Sequence, residues 1–181
     1  MKVEETNLKG CYIISPKIHK DERGYFFESF NKKKFEELTK ISIDFVQDNQ
    51  SLSSKGVLRG LHYQTGRHQQ AKLVRVVKGS VLDVCVDLRK NSSTFGQYFS
   101  IILDDSKHQQ LFIPKGFAHG FLVLEDDTIL NYKCDNYYNK NAESGIIYND
   151  EVLNIDWKTD NTKLILSEKD NKLPKLESLF K

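Results

Sequence analysis

Two segments put a histidine among glycines beside an apolar run. They are Gly56-Val57-Leu58-Arg59-Gly60-Leu61-His62-Tyr63-Gln64 and Pro114-Lys115-Gly116-Phe117-Ala118-His119-Gly120. An imidazole titrates near neutrality, so it can move protons or ligate a metal. A neighbouring glycine lets another group come close to the backbone. Arginine is scarce, five against 22 lysines. A guanidinium binds phosphate or carboxylate through two parallel hydrogen bonds, which an ammonium cannot do. Arg23 and Arg59, both in dense segments, are therefore candidates for anion recognition. Lys72 opens an apolar stretch, and Tyr132 lies inside another; taken alone, the first reads as one of many surface lysines and the second as a core or edge tyrosine.

These residues need a rigid frame, and the rest of the chain indicates which. With 181 residues it is long enough to bury a real core as one domain over 1–181. Lys and Arg exceed Asp and Glu by 27 to 25, so the net charge is +2. A nucleic-acid binder would carry a stronger basic field. No stretch approaches the roughly 20 apolar residues of a membrane span. The start is polar and does not read as a signal peptide. Cys11, Cys85 and Cys134 are odd in number and widely spaced. That argues for a reducing, cytoplasmic setting and against a disulfide framework or a zinc site.

From Leu58 onward the pattern is β. Strands are expected at Gln97–Leu103, Gln110–Ile113, Gly120–Leu124 and Thr128–Cys134, with turn residues between them. Lys72–Leu88 reads as two strands joined in a hairpin at Gly79-Ser80. Counted from that turn, Lys72, Val74 and Val76 share a face with Val81, Asp83, Cys85 and Asp87. Tyr25–Phe30 reads as an aromatic strand. Asn31 is placed to cap a brief helix with Phe35 and Leu38 on one face. Many short strands at regular spacing predict an all-β sandwich, barrel or jelly roll.

The two histidine segments resemble the paired motifs of the cupin superfamily. Gly56, five residues and His62 fit the first, and Pro114, Gly116 and His119 fit the second. That implies a cupin-type jelly-roll barrel, with short helices and terminal strand extensions. The departures are chemical. The motif's second histidine is Gln64, and its carboxylate is Lys72. An ammonium repels a divalent ion instead of ligating it, which argues against a metal site. A fixed positive charge could take over the metal's electrostatic task.

The fuller set resembles one family within that fold. It comprises Gly56 to Gln64, Lys72-Leu73-Val74, Asp83-Val84, Val86 to Arg89, Pro114 to Phe121, Tyr132-Lys133-Cys134, Asn149-Asp150 and Leu166 to Asp170. The family is dTDP-4-dehydrorhamnose 3,5-epimerase, and the likeness runs from about residue 10 to 172. It implies inversion of two carbons flanking a ketone in a dTDP-linked 4-keto-6-deoxy sugar, on the route to rhamnose for a polysaccharide, without cofactor or metal. By the resemblance, His62 is the base, Asp170 holds its tautomer, and Tyr132 is the acid on the opposite face. Lys72 steadies the enolate; Asp83, on the same face by the parity count, is placed to orient the cluster. Arg59 and Arg23 bind the diphosphate, the Arg23 strand reaching into a partner subunit's site. Glu28, Gln47, Asp48 and Asn49 read the nucleotide, Phe26 and Tyr138 stack on thymine, and His119, Glu143 and Lys169 add contacts. A homodimer with exchanged strands is implied. The alternatives are a mono-epimerase acting at carbon 3 or carbon 5 alone, and a non-catalytic sugar-binding cupin.

Overall fold

The structure, a computed structural model, describes residues 1–159 and 163–179. In chain order its strands are β1 (Lys2–Glu5), β2 (Tyr12–Ser15), β3 (His19–Asp21), β4 (Gly24–Phe26), β5 (Gln47–Ser53), β6 (Leu58–Gln64), β7 (Lys72–Lys78), β8 (Ser80–Asp87), β9 (Tyr98–Asp104), β10 (Gln110–Ile113), β11 (Phe117–Val123), β12 (Thr128–Cys134) and β13 (Glu143–Gly145). One α-helix, α1 (Lys32–Thr39), stands between β4 and β5. A six-stranded sheet runs β1-β2-β10-β7-β12-β5, and a five-stranded sheet runs β13-β6-β11-β8-β9. Strands β3 and β4 form a separate two-stranded ribbon. The two large sheets pack face to face as the cupin-type jelly roll.

Burial follows the period-two alternation of the strands. In β8 one face (Val81, Cys85) joins Val74, Val76, Leu103, Leu111 and Leu130 in the core between the sheets. The other face (Leu82, Val84, Val86) packs outward against Leu153, Trp157 and Leu176 of the C-terminal segment. A third cluster, Phe35, Leu73, Phe112 and Ile14, lies where α1 covers the outside of the six-stranded sheet. Both faces of β8 are therefore buried, which explains its near-continuous apolar sequence.

The Gly79-Ser80 turn does not close a hairpin. Strand β7 pairs with β10 and β12, and β8 pairs with β9 and β11, so the chain passes from one sheet to the other at this corner. The corner is held from outside. Gly79 N–H donates to Asp105 Oδ2 at 2.7 Å, and Leu124 N–H donates to the Ser80 carbonyl at 3.0 Å. A Cβ at Gly79 would lie 2.3 Å from Thr128 Oγ1. The face assignment is unaffected, because inward alternation continues through the corner: Val74, Val76, Val81 and Cys85 all enter the inter-sheet core.

Of the aromatic run 25–30, only Tyr25 and Phe26 are strand, in β4 paired with β3. The chain then turns, because the Glu28 carboxylate accepts from Asn31 Nδ2 and pairs with Lys34 of the helix. Asn31 caps α1 as expected, its side chain accepting the Lys34 N–H at 3.1 Å. Phe35 is buried, but Leu38 is 49% exposed. Thr39 takes the inner position instead, its hydroxyl donating to the Phe35 carbonyl at 2.8 Å. Strand β11 starts at Phe117, before the expected Gly120. Among the described residues, no helix is long and apolar enough to cross a membrane.

Candidate active site

Between the sheets lies a cavity of about 600 Å³. Strand β6 brings in His62, opposite His119 of β11. The two strands touch through glycine: a Cβ on Gly60 would lie 2.6 Å from the Gly120 Cα. Gly60 also has φ 121°, a region that side chains avoid. Both glycines are required by this close approach, and it sets the depth of His62.

His62 Nε2 is 2.6 Å from Asp170 Oδ1. Asp170 opens a short 3-10 turn, Asp170–Lys172, and its own N–H donates to Ser167 Oγ at 3.0 Å. The second carboxylate oxygen accepts the Gly60 N–H at 3.4 Å. Burial would push this carboxyl up, but the His62 bond and charge, the Gly60 N–H and Ser167 outweigh it and hold it low. An ionised Asp170 accepts from the imidazole and leaves the other ring nitrogen free of a proton, ready to take one.

The opposite wall belongs to the six-stranded sheet. Tyr132 lies on β12, and Lys72 begins β7, its Nζ 5.7 Å from the Tyr132 ring centroid. Burial lowers the Lys72 pKa below the ordinary lysine value and raises that of the Tyr132 phenol, which stays protonated. Cys134, cross-strand from Lys72, has its thiol pushed up to about 11 by burial. His119 and Asp83 form a second, fully buried pair, with Nε2 3.0 and 3.1 Å from the carboxylate oxygens. Burial pulls the His119 pKa down against the pull of Asp83, so its ring stays neutral to lower pH than usual.

At the rim, Arg59 donates through Nε and Nη2 to Ser53 Oγ at 3.2 and 3.1 Å. Gln47 Nε2 donates to Asn49 Oδ1 at 3.0 Å, and Gln47 Oε1 accepts the Tyr138 N–H at 3.0 Å. The Tyr138 hydroxyl donates to Glu143 at 2.9 Å, and Lys169 pairs with the same carboxylate oxygen. These residues converge on one opening. Ser51, Ser53 and Ser167 belong to the site and were not singled out from sequence. Gln47, Asn49, Ser51 and Ser53 recur at every second position, so the alternation of β5 was the available signal.

Four expected residues lie elsewhere in this chain. Asp48 occupies the other face of β5 and binds Lys133 at 2.9 Å, because successive strand residues point to opposite sides. Arg23 sits at the tip of the β3–β4 ribbon, with its guanidinium on Asp21 at 2.5 Å. Phe26 is 68% exposed on that ribbon. Glu28 is engaged with Asn31 and Lys34 at the start of α1. None of the four lines the cavity.

The positions a metal cupin would use are otherwise engaged. His62 and His119 each hold a carboxylate, Gln64 Oε1 accepts the Asn139 N–H at 3.0 Å, and Lys72 is a cation. Among the described residues, no three His, Cys, Asp or Glu side chains are grouped to hold a metal. A jelly roll with a carboxylate-braced imidazole on one wall and an ammonium and a phenol on the other is a cupin equipped for proton transfer at carbon.

Comparison with known proteins narrows this class. A profile described as dTDP-4-dehydrorhamnose 3,5-epimerase matches residues 5–178. The dTDP-4-dehydrorhamnose 3,5-epimerase of Escherichia coli K12 is 48% identical over 181 residues, all of this chain and 97% of that protein. The crystal structure of dTDP-6-deoxy-D-glucose-3,5-epimerase from Legionella pneumophila, in complex with dTDP-4-keto-L-rhamnose, superposes with a TM-score of 0.93 at 48% identity, covering 97% of this chain and 93% of that one. A 3'-monoepimerase from Streptomyces bikiniensis, in complex with dTDP-quinovose, superposes with a TM-score of 0.89 at 32% identity, covering 95% and 86%. The chain belongs to the dTDP-4-dehydrorhamnose 3,5-epimerase family.

Proposed function

We propose that this protein converts dTDP-4-keto-6-deoxy-D-glucose to dTDP-4-keto-L-rhamnose, inverting carbons 3 and 5 in turn. The observation that carries the reading is the placement of His62 and Tyr132 on opposite sheets across one cavity, with Lys72 beside Tyr132. His62 takes the proton from the carbon next to the ketone. The C–H electron pair forms the enolate, and charge collects on the carbon 4 oxygen. The Lys72 ammonium stabilises that charge, an effect worth about 3–4 kcal/mol in comparable sites. Tyr132 then returns a proton to the carbon from the other face, which inverts it. Asp170 keeps the base oriented.

The rim supplies recognition. Arg59 takes the diphosphate, Gln47 and Asn49 read the nucleotide, Tyr138 stacks on the base, and His119, Glu143 and Lys169 complete the contacts. Arg23, Phe26 and Glu28 serve the same ligand from a second subunit, in a homodimer that exchanges its β3–β4 ribbon. Support for this comes from the exposed aromatic ribbon, which a monomer leaves uncovered. The chain acts as one domain in the cytoplasm, a reading supported by three cysteines that carry no disulfide.

Turnover in heavy water tests the reaction. Deuterium at carbons 3 and 5 of the product is the expected result. Label at one carbon alone would make the protein a mono-epimerase, the activity named for its more distant Streptomyces relative. Binding without label would leave a sugar-binding cupin. Sedimentation velocity tests the dimer.

A further inference from the structure

His108 takes no part in the site described above, yet it is only 6% exposed and adopts φ 53°, which is uncommon for a side-chain-bearing residue. It ends a tight turn after β9. Asp104 Oδ1 accepts the Ser106 N–H at 2.9 Å, the Lys107 N–H at 2.7 Å and the Ser106 hydroxyl at 2.6 Å. The His108 N–H closes the turn on the Asp104 carbonyl at 3.3 Å. The backbone is thus fixed before the side chain meets any neighbour.

Its ring meets the β3–β4 ribbon. The Tyr25 centroid is 4.7 Å away and the Phe27 centroid 4.8 Å, and the two aromatic rings lie 6.0 Å apart. These distances make a three-ring cluster in the range where aromatic pairs attract. Tyr25 and Phe27, the latter one residue past β4, both turn their rings to His108, while Phe26 between them is exposed on the other side. Gripping the ribbon by Tyr25 and Phe27 therefore decides that Phe26 faces outward. It also fixes the direction in which the tip, with Arg23, projects.

We propose that His108 is a positioning residue for substrate capture. It docks the ribbon against the barrel with one chosen face, so that Arg23 and Phe26 are presented to the nucleotide diphosphate. The inference rests on the reading above that the ribbon serves the ligand. It adds the element that orients the ribbon, which lies on a different strand connection from every residue in the cavity.

The test compares His108→Ala, His108→Phe and Arg23→Ala, measuring kcat and KM for the keto sugar nucleotide and the Kd of dTDP. His108→Ala should raise KM and the dTDP Kd about tenfold, in line with loss of a charged hydrogen bond to phosphate, with kcat at saturation within about twofold of the parent. His108→Phe, which keeps a flat ring in the cluster, should return both to near the parent values. Wild-type KM and Kd in His108→Ala, with Arg23→Ala weakened, would overturn the role of His108 alone. Wild-type binding in Arg23→Ala would remove the ribbon from ligand capture and the inference with it. A fall in kcat parallel to the rise in KM, or no rescue by Phe, would make His108 a support of the barrel and overturn the proposal.

Discussion

Asp170 is 108 residues from His62 in the chain and 2.6 Å from it in the fold. The carboxylate rides on a short turn outside both sheets, while the imidazole stands on β6, inside the five-stranded sheet. Asp170→Asn keeps the size and removes the charge that selects the tautomer. It should lower kcat by about 10²- to 10⁴-fold, with KM for the sugar nucleotide little changed. Steady-state kinetics decide it, and a change confined to KM would reassign Asp170 to binding.

Tyr132 and His62 should separate in an isotope experiment. Tyr132→Phe removes one oxygen from a half-buried ring that lines the cavity. Solvent deuterium should still enter the substrate through His62, while inverted product forms about 10²-fold more slowly. Mass spectrometry gives the first quantity and product analysis the second. Normal product from the variant would require another acid.

Lys72 should set the alkaline limit of activity. In the proposed mechanism its ammonium is the form that stabilises the enolate, and burial lowers its pKa. Activity should therefore fall as pH rises through a value below the ordinary lysine pKa of about 10.4. The Tyr132 phenol is shifted the opposite way, so it does not produce that limb. Lys72→Met should cost about 10²- to 10³-fold in kcat and abolish the limb in a kcat/KM profile. A limb that persists in the variant would belong to another group.

Asp87 is a stability prediction away from the chemistry. Burial raises its pKa, but Arg89 Nη2 at 2.7 Å, Ser92 Oγ at 2.6 Å and Thr94 Oγ1 at 2.7 Å outweigh that and bring it to about 2. A folded-state pKa below the unfolded one stabilises the protein fully above about pH 4, and that contribution disappears as pH falls through about 2. Asp87→Asn should cost about 2 kcal/mol at pH 7. Urea unfolding at a series of pH values should find the gap to the parent closing on the acid side. A gap independent of pH would contradict the assignment.

Much of this was legible in the residues. Strands β10 and β12 fall where alternation and turn residues put them, because both are bounded by clear turn signals. The inward face of Lys72 was legible from strand parity alone. What parity could not reveal was the partner of each strand: Gly79-Ser80 has hairpin composition, yet it turns between sheets because Asp105 and Leu124 hold it from neighbouring loops. Strand β5 reads as polar because its inward residues line a wet cavity and not a core. Its sequence, Gln-Asp-Asn-Gln-Ser-Leu-Ser, lacks the β-branched residues that mark a strand. Asp48 was assigned to the site with its neighbours, and a single step along that strand takes it to the other side.

His62 and Tyr132 belong to different sheets, and the inter-sheet core holds those sheets apart. Val74, Val76, Leu111 and Leu130 thus serve as a shim between these two groups. A proton crosses a gap efficiently only over a narrow range of lengths, and close-packed interiors pass on a change of one methylene. In the proposed mechanism each side chain in that layer therefore tunes the reach of His62 and Tyr132 towards the sugar ring between them. The packing that keeps this barrel folded is also the part that gauges its reaction.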